Sequence, residues 1–325
     1  MGKTLMVPQQ STSYTFASKA KDYFILIKFT LSFLVVFSSV VCYLLAPNVT
    51  FDFYNVFLLF VAGMLITGSA NAINQTVEKD TDALMNRTAN RPVASGRMSE
   101  REGYIFAAIT GSIGIVMMWV FFNFESALIG LISLFLYGFI YTPLKKVNSI
   151  SVLVGAFPGA LPCLIGWVAA TGFIDPFAEF NVKLASGEVA VFSNIGGYVL
   201  FAIQFIWQFP HFWAIAWLAH KDYEKAGFKL LPSTKGTTKF TAVQSIVYST
   251  LMVPIGMLPY YFGISGSLSL WILLGCNLWM VYVSIMLLIK MNAGAARMVM
   301  FSSYFYLMVV YLSLLFDKVP TIPIT

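Results

Sequence analysis

The chain has 325 residues, of which 58% are apolar and only 10% carry charge. A soluble domain carries about 25% charged residues and cannot bury so much apolar surface, so a soluble globular protein is excluded. The net charge of +6 does not point to nucleic acid, because the Lys and Arg residues gather in alternate loops between long apolar runs, as they do in membrane proteins.

The first 21 residues are polar and include Gln9, Gln10, Ser11 and Thr12. They read as a cytoplasmic N-terminal arm and not as a cleaved leader, since they hold no short apolar core before a small-residue cleavage site. Residues 22–318 read as a single transmembrane domain. Its apolar runs fall at about 23–46, 53–73, 103–122, 126–144, 150–173, 195–219, 241–262, 267–289 and 299–316, each near the length that crosses a bilayer. Spanning segments must satisfy their own backbone hydrogen bonds, and the alternating strands of a barrel are absent, so the predicted fold is all-α with about nine spans. Span five holds Gly155, Ala156, Gly159, Ala160 and Gly166, small residues that let neighbouring helices approach closely. Pro158 and Pro162 in the same span would bend it and open a cavity beside it.

Eighteen of the twenty basic residues fall on one side if the loops alternate; Lys183 and Lys318 are the exceptions. That predicts a cytoplasmic N-terminus and an outside C-terminus. Two polar loops on the basic side, after spans two and six, are long and would form a cap over a central cavity. They follow corresponding spans, which hints at an internal duplication. Cys42, Cys163 and Cys276 each sit in an apolar run, with no metal or redox spacing.

Span two ends in Asn74, Glu78 and Asp82, spaced by four. Each step of four turns a helix by only about 40°, so the three share a stripe, with Asn71 one turn deeper. Two carboxylates and an amide offer hard oxygen ligands that suit Mg²⁺ bridged to substrate phosphates. Arg87 and Arg91 follow at once, and an Arg fork matches phosphate oxygens. Lys145, one turn after Tyr141 at the end of span four, could meet a phosphate or anchor the span end. Asp222, after span six, could add a second metal ligand across the cavity. His211 lies within span six and could serve a haem or a proton transfer, or hydrogen-bond a neighbouring helix.

These segments resemble the UbiA-type membrane prenyltransferases, and within them the protohaem IX farnesyltransferases (haem O synthases), over about residues 22–315. The resemblance rests on Asn74…Glu78…Asp82 with Met85-Asn-Arg87-Thr, Asn90-Arg91-Pro92 and Ser95-Gly96-Arg97. It continues through Tyr141-Thr-Pro-Leu-Lys145, Gly155-Ala-Phe-Pro-Gly-Ala-Leu-Pro162, Trp207-Gln-Phe-Pro-His211-Phe-Trp and Asp222-Tyr223…Ala226-Gly227-Phe…Leu-Pro232. It implies transfer of a farnesyl group from farnesyl diphosphate to a vinyl of haem b, with water addition, in a bacterial inner membrane. It implies Mg²⁺ on Asn74, Glu78, Asp82 and Asp222. It also implies diphosphate on Arg87, Arg91 and Lys145, and an acceptor pocket near His211, Trp207 and Tyr141. A haem A synthase or an oxidase-assembly partner belongs to the same expectation. Two departures stand out. Many relatives carry Lys-Pro-Arg where this chain has Lys28-Phe29-Thr30, and paired aspartates where it has Asp222 and Ala226. The alternatives are prenylation of an aromatic quinone precursor and a cation-coupled transporter. A transporter would place ionisable groups at mid-membrane in several spans, where this chain has almost none beyond His211.

Overall fold

The computed structural model describes residues 16–47, 49–184, 186–233 and 235–322. Most of the polar N-terminal arm expected from the sequence, residues 1–15, lies outside them. Among the described residues eight helices are each long and apolar enough to cross a bilayer, and a bent pair at the start makes a ninth crossing if it forms one span. Their 21–25 residues rise roughly 32–38 Å, enough for a hydrocarbon core about 30 Å thick. The chain is an integral membrane protein.

The bent pair is α1 (Phe16–Leu26) and α2 (Phe29–Leu45), which meet at 51° where a single span is predicted. Next come α3 (Phe53–Val77), the short α4 (Lys79–Leu84) and α5 (Glu100–Phe121). The fourth crossing is α6 (Phe124–Phe135), a π-helical segment (Leu136–Tyr141) and one last turn, α7 (Thr142–Leu144). Then follow α8 (Ser151–Thr171), α9 (Ile195–Leu218), the short α10 (His220–Lys225), α11 (Lys239–Tyr261), α12 (Ser267–Lys290) and α13 (Ala293–Phe316).

Local chemistry sets many of these ends. The Asp52 carboxylate accepts from the amides of Tyr54 and Asn55 and starts α3. Ser99 and Glu102 form the Ser-x-x-Glu pattern at the start of α5, where the Ser99 hydroxyl accepts from the Glu102 amide. Asn123 and Asn292 cap α6 and α13 in the same way. Gly172, at φ +77°, closes α8.

The helices pack as two linked groups. α3 lies on α5, α5 on α6, α6 on α8, and α8 on α2; α9, α11, α12 and α13 form the second ring. α8 joins the two by packing on both α2 and α9. Its small residues permit this closeness. A Cβ on Gly166 would lie 1.9 Å from the Ser39 carbonyl oxygen of α2, and one on Gly159 would lie 2.0 Å from Gln208 Oε1 of α9.

At one end the loops after α3 and α9 meet: Met85 packs with Ala226 and Phe228, so the expected cap is present. At the other end the segment after α8 forms a small antiparallel sheet. Its strands are β1 (Glu179–Leu184), β2 (Val189–Ser193) and β3 (Thr321–Ile322), in the order β2-β1-β3. The turn between β1 and β2 uses Gly187 at φ +90°. Asn194 ties this sheet to the bundle. Its Oδ1 accepts from Trp167 Nε1 and Thr171 Oγ1, while its Nδ2 donates to the carbonyls of Phe173 and Asp175.

Candidate active site

The acidic stripe survives a break in its helix. α3 ends at Val77 and α4 starts at Lys79, yet the Glu78 amide still bonds the Asn74 carbonyl (3.0 Å) and the Asp82 amide the Glu78 carbonyl (2.7 Å). The ladder therefore carries the four-residue step across the joint. Asn74, Glu78 and Asp82 are 1%, 4% and 0% exposed. Buried charges of this kind persist only when paired and hydrogen-bonded.

Each stripe residue has its own cationic partner, drawn from a different part of the chain. Lys28 Nζ donates to Asn74 Oδ1 at 2.9 Å. Lys145 Nζ donates to Glu78 Oε1 at 2.8 Å. Arg91 Nη1 donates to both Asp82 carboxylate oxygens, at 2.8 and 2.7 Å. The backbone explains how the partners arrive. The π-helical segment lets Thr142 donate from Oγ1 to the Tyr137 carbonyl and accept from Asn74 Nδ2 (3.3 Å). Lys145, three residues on, then reaches Glu78. π segments inside α-helices often mark functional sites. The ammonium of Lys145 also lies over the Tyr141 ring (4.6 Å) and near the Phe228 ring (5.7 Å). The Lys229 amide bonds the Lys145 carbonyl, so the second cap loop rests directly on this residue.

The other predicted residues fall into two places. Arg87 is exposed on the cap and donates to the Tyr223 hydroxyl at 3.3 Å. Asp222 is half-buried on α10. Among the described residues no three His, Cys, Asp or Glu side chains come close enough to hold a metal, so Asp222 does not join Glu78 and Asp82 in one carboxylate cluster. Trp207 and His211 pair with α13. Their rings stack at 4.6 Å, and both bond Ser303 of α13: Trp207 Nε1 to its carbonyl (2.9 Å), His211 Nδ1 with its hydroxyl (2.7 Å). Tyr304 closes the His211 ring edge-on. Tyr141 stands apart from that pair, beside Lys145, where the absence of a side chain on Gly155 makes room for its ring.

Below the stripe a narrow apolar cleft runs down α3 past Asn71, Thr67, Gly63 and Leu59, each four residues from the last. Pro158 and Pro162 of α8 form its opposite wall. The cleft begins one turn below Asn74, so a charged group at the stripe and an apolar tail in the cleft would be continuous.

Two contributors escape a reading by local spacing. Lys28 is a lone charge inside the run Phe24-Ile-Leu-Ile-Lys28-Phe29, and that isolation is its only local signal beside its match to the Lys of Lys-Pro-Arg in relatives. Thr142 carries none.

Residues 35–309 match the UbiA prenyltransferase family. The chain is 42% identical over 303 residues to the protoheme IX farnesyltransferase of Cytophaga hutchinsonii, covering 93% of this chain and 99% of that protein. It is 42% identical over 293 residues to the protoheme IX farnesyltransferase of Flavobacterium johnsoniae, covering 87% and 90%. Among solved structures it superposes on a digeranylgeranylglyceryl phosphate synthase with a TM-score of 0.72 at 21% identity, covering 92% of this chain and 98% of that one. It also superposes on a UbiA homologue from Archaeoglobus fulgidus bound to GPP and Mg²⁺, with a TM-score of 0.61 at 13% identity, covering 90% and 99%. At these identities the structural likeness shows a shared fold.

Proposed function

This chain belongs to the UbiA prenyltransferase family, and we propose that it transfers the farnesyl group of farnesyl diphosphate to a vinyl group of protohaem IX. The observation that carries this reading is the alignment of the buried acidic stripe with the apolar cleft that starts one turn below it. A polar, cation-rich head site over an apolar channel suits a substrate with a diphosphate head and an isoprenoid tail.

The donors of Asn74, Glu78 and Asp82 are buried hard oxygens, and a Mg²⁺ ion favours one or two carboxylates plus substrate phosphate over a cage made wholly of protein. These three would hold the ion, which when bound neutralises charge on the departing diphosphate. Lys145 and Arg91, at the same stripe, and Arg87 on the cap would bind diphosphate oxygens directly. The bond from farnesyl C1 to the diphosphate oxygen breaks, and both electrons leave with the diphosphate. The cleft shields the allylic cation from bulk water. The π electrons of the haem vinyl form the new bond to C1. A water oxygen then adds to the resulting cation beside the porphyrin and releases a proton, which gives the hydroxyethylfarnesyl side chain.

Tyr141 borders the head site, and Trp207 with His211 forms a wall between α9 and α13. The charge asymmetry of the loops supports a cytoplasmic cap in a bacterial inner membrane, with the N-terminus inside and the C-terminus outside. A haem A synthase or an oxidase-assembly partner would take the product onward.

The test incubates purified protein in detergent with haem b, farnesyl diphosphate and Mg²⁺, and then extracts the haems for mass spectrometry. The expected product is heavier by one farnesyl group and one hydroxyl, and Asp82→Ala abolishes it. Unchanged haem together with prenylation of an aromatic ring acid would move the assignment to a quinone precursor.

A further inference from the structure

We propose that Lys28, Lys145 and Arg91 are place-holding cations that cover the oxygen ligands of the stripe until a diphosphate draws them off, so that a divalent cation and a diphosphate enter this site together. The inference rests on the diphosphate reading above and adds Lys28 to the residues that touch the substrate.

The pairing is one to one. Lys28 covers Asn74, Lys145 covers Glu78, and Arg91 covers Asp82. A ligand oxygen that already accepts from an ammonium or a guanidinium is a poor site for a free metal ion. Charge says the same. The three basic side chains outnumber the two carboxylates, so the cluster offers an incoming metal ion no uncovered negative charge. A divalent ion arriving alone would have to displace these donors. A prenyl diphosphate with one divalent ion brings net negative charge and acceptor oxygens, which the three basic side chains can meet. Arg91, Lys145, Glu78 and Asp82 are the charged groups that act on Lys28. Among the described residues Lys28 makes no salt bridge; its polar partner is the neutral Asn74. A charge in an apolar span with only a neutral partner is expensive, and such residues mark ligand sites.

Lys28 is aimed by a built corner. It sits between α1 and α2 in the left-handed region, at φ 48° and ψ 57°, which non-glycine residues seldom adopt. Side chains of α3 hold the corner from beneath. Gln75 Nε2 donates to the carbonyls of Ile25 and Leu26, and Asn71 Nδ2 donates to the Ile27 carbonyl and to Ser32 Oγ. Asp22 on α1 is pinned to Arg97 of the first cap loop. The same helix, α3, thus holds the corner and carries the stripe, which aims the Lys28 ammonium at Asn74.

Equilibrium dialysis of the detergent-solubilised protein tests this, with Mn²⁺ as the metal probe and inorganic diphosphate as the anion. Wild-type protein is expected to retain Mn²⁺ only when diphosphate is present. Lys28→Gln keeps an amide donor for Asn74 and removes the charge. It is expected to weaken diphosphate retention about tenfold or more, the loss of one charge-assisted hydrogen bond, and to let some Mn²⁺ bind alone; Lys28→Arg is expected to restore the wild-type pattern. Equal Mn²⁺ retention with and without diphosphate in wild-type protein overturns the proposal, as does a folded Lys28→Gln variant that binds both as wild-type does. Should Lys28→Gln not fold, acylation of wild-type lysines decides. Mn²⁺ with diphosphate must protect Lys28, and full labelling of Lys28 in their presence overturns its role. Wild-type protein that retains neither probe, alone or together, would remove the diphosphate reading itself and this inference with it.

Discussion

Arg91 grips Asp82 through both carboxylate oxygens, at 2.8 and 2.7 Å, and the Asp82 side chain is wholly closed off from solvent. The two residues stand nine positions apart, on either side of the turn that starts the cap. The Thr88 hydroxyl bonds the Asp82 carbonyl and fixes that turn. One ion pair therefore shapes the cap and presents two groups that chemistry at the stripe would use.

Arg91→Ala should leave the Asp82 carboxylate buried without its partner. Breaking a buried pair in this way costs about 3–5 kcal/mol. The variant should melt well below wild type in detergent, and a double variant with Asp82→Asn should recover much of the loss, because the uncompensated charge is gone. Arg91→Lys keeps the charge but replaces the flat guanidinium by a compact ammonium on a different stem, so it should retain more stability than Arg91→Ala and still lose activity in the haem assay.

Gly63 lies two turns below Asn71 on the cleft wall, about 12 Å along the helix axis. A covalent chain advances about 1.2 Å per bond, as the extended backbone does, so the eleven bonds of a farnesyl chain reach about 13 Å and the seven of a geranyl chain about 8 Å. Gly63→Val should block the cleft between these lengths and press on Val36, whose Cγ1 would lie 2.9 Å from the new Cβ. The ratio of kcat/KM for geranyl over farnesyl diphosphate should rise roughly 10- to 200-fold. An unchanged ratio in a folded variant would place the tail elsewhere.

Gly166 lets α8 cross α2 almost backbone to backbone. A Cβ there would lie 1.9 Å from the Ser39 carbonyl oxygen, which cannot swing away as a side chain does. Gly166→Ala should destabilise the bundle by about 1–3 kcal/mol or more, read as a lower melting temperature in detergent. Gly275→Ala, where a Cβ meets nothing within 4 Å, is the matched control and should melt like wild type.

Lys318, beyond the last span, donates to the carbonyls of Leu44, Ala46 and Val49 and so closes the free end of α2. Burial lowers its pKa to about 8 from the usual 10.5. Between those values the unfolded chain binds more proton than the folded one, so this group adds stability as pH rises from about 8 toward 10.5 and adds none below about 8. Across the whole window the gain is at most about 3 kcal/mol. Melting temperatures measured from pH 7 to 10 should show this rise in wild-type protein and lack it in Lys318→Met. Parallel curves for the two proteins would refute the assignment.

Much of the candidate site is visible in the order of residues because it is local. Asn74, Glu78 and Asp82 share a stripe by helical period alone, and Arg91 follows within one turn-forming loop. The apolar crossings and the meeting of the two basic loops follow from run lengths and charge. Other features leave weaker traces. The outer sheet shows only a short alternation, Glu179-Phe-Asn-Val-Lys-Leu, before the Gly187 turn, and it is easily taken for a loop. The break at Lys28 carries neither Gly nor Pro.

The sequence by itself determined what each helix face offers: a membrane protein with an acidic, amide-bearing stripe at the end of one span and basic loops beside it. Helical period and the intolerance of a bilayer for unpaired polar groups act within single segments, so they can be read along the chain. Only the tertiary structure decided which cation covers which ligand. Lys28 reaches Asn74 across 46 residues and Lys145 reaches Glu78 across 67. It also decided that Trp207 and His211 bond Ser303 of α13. These outcomes depend on how closely helices cross. That closeness comes from Gly155 against Tyr141, Gly159 against Gln208 and Gly166 against Ser39, and from a π segment that rotates one span end. Such contacts join residues far apart in the chain, and no local period records them.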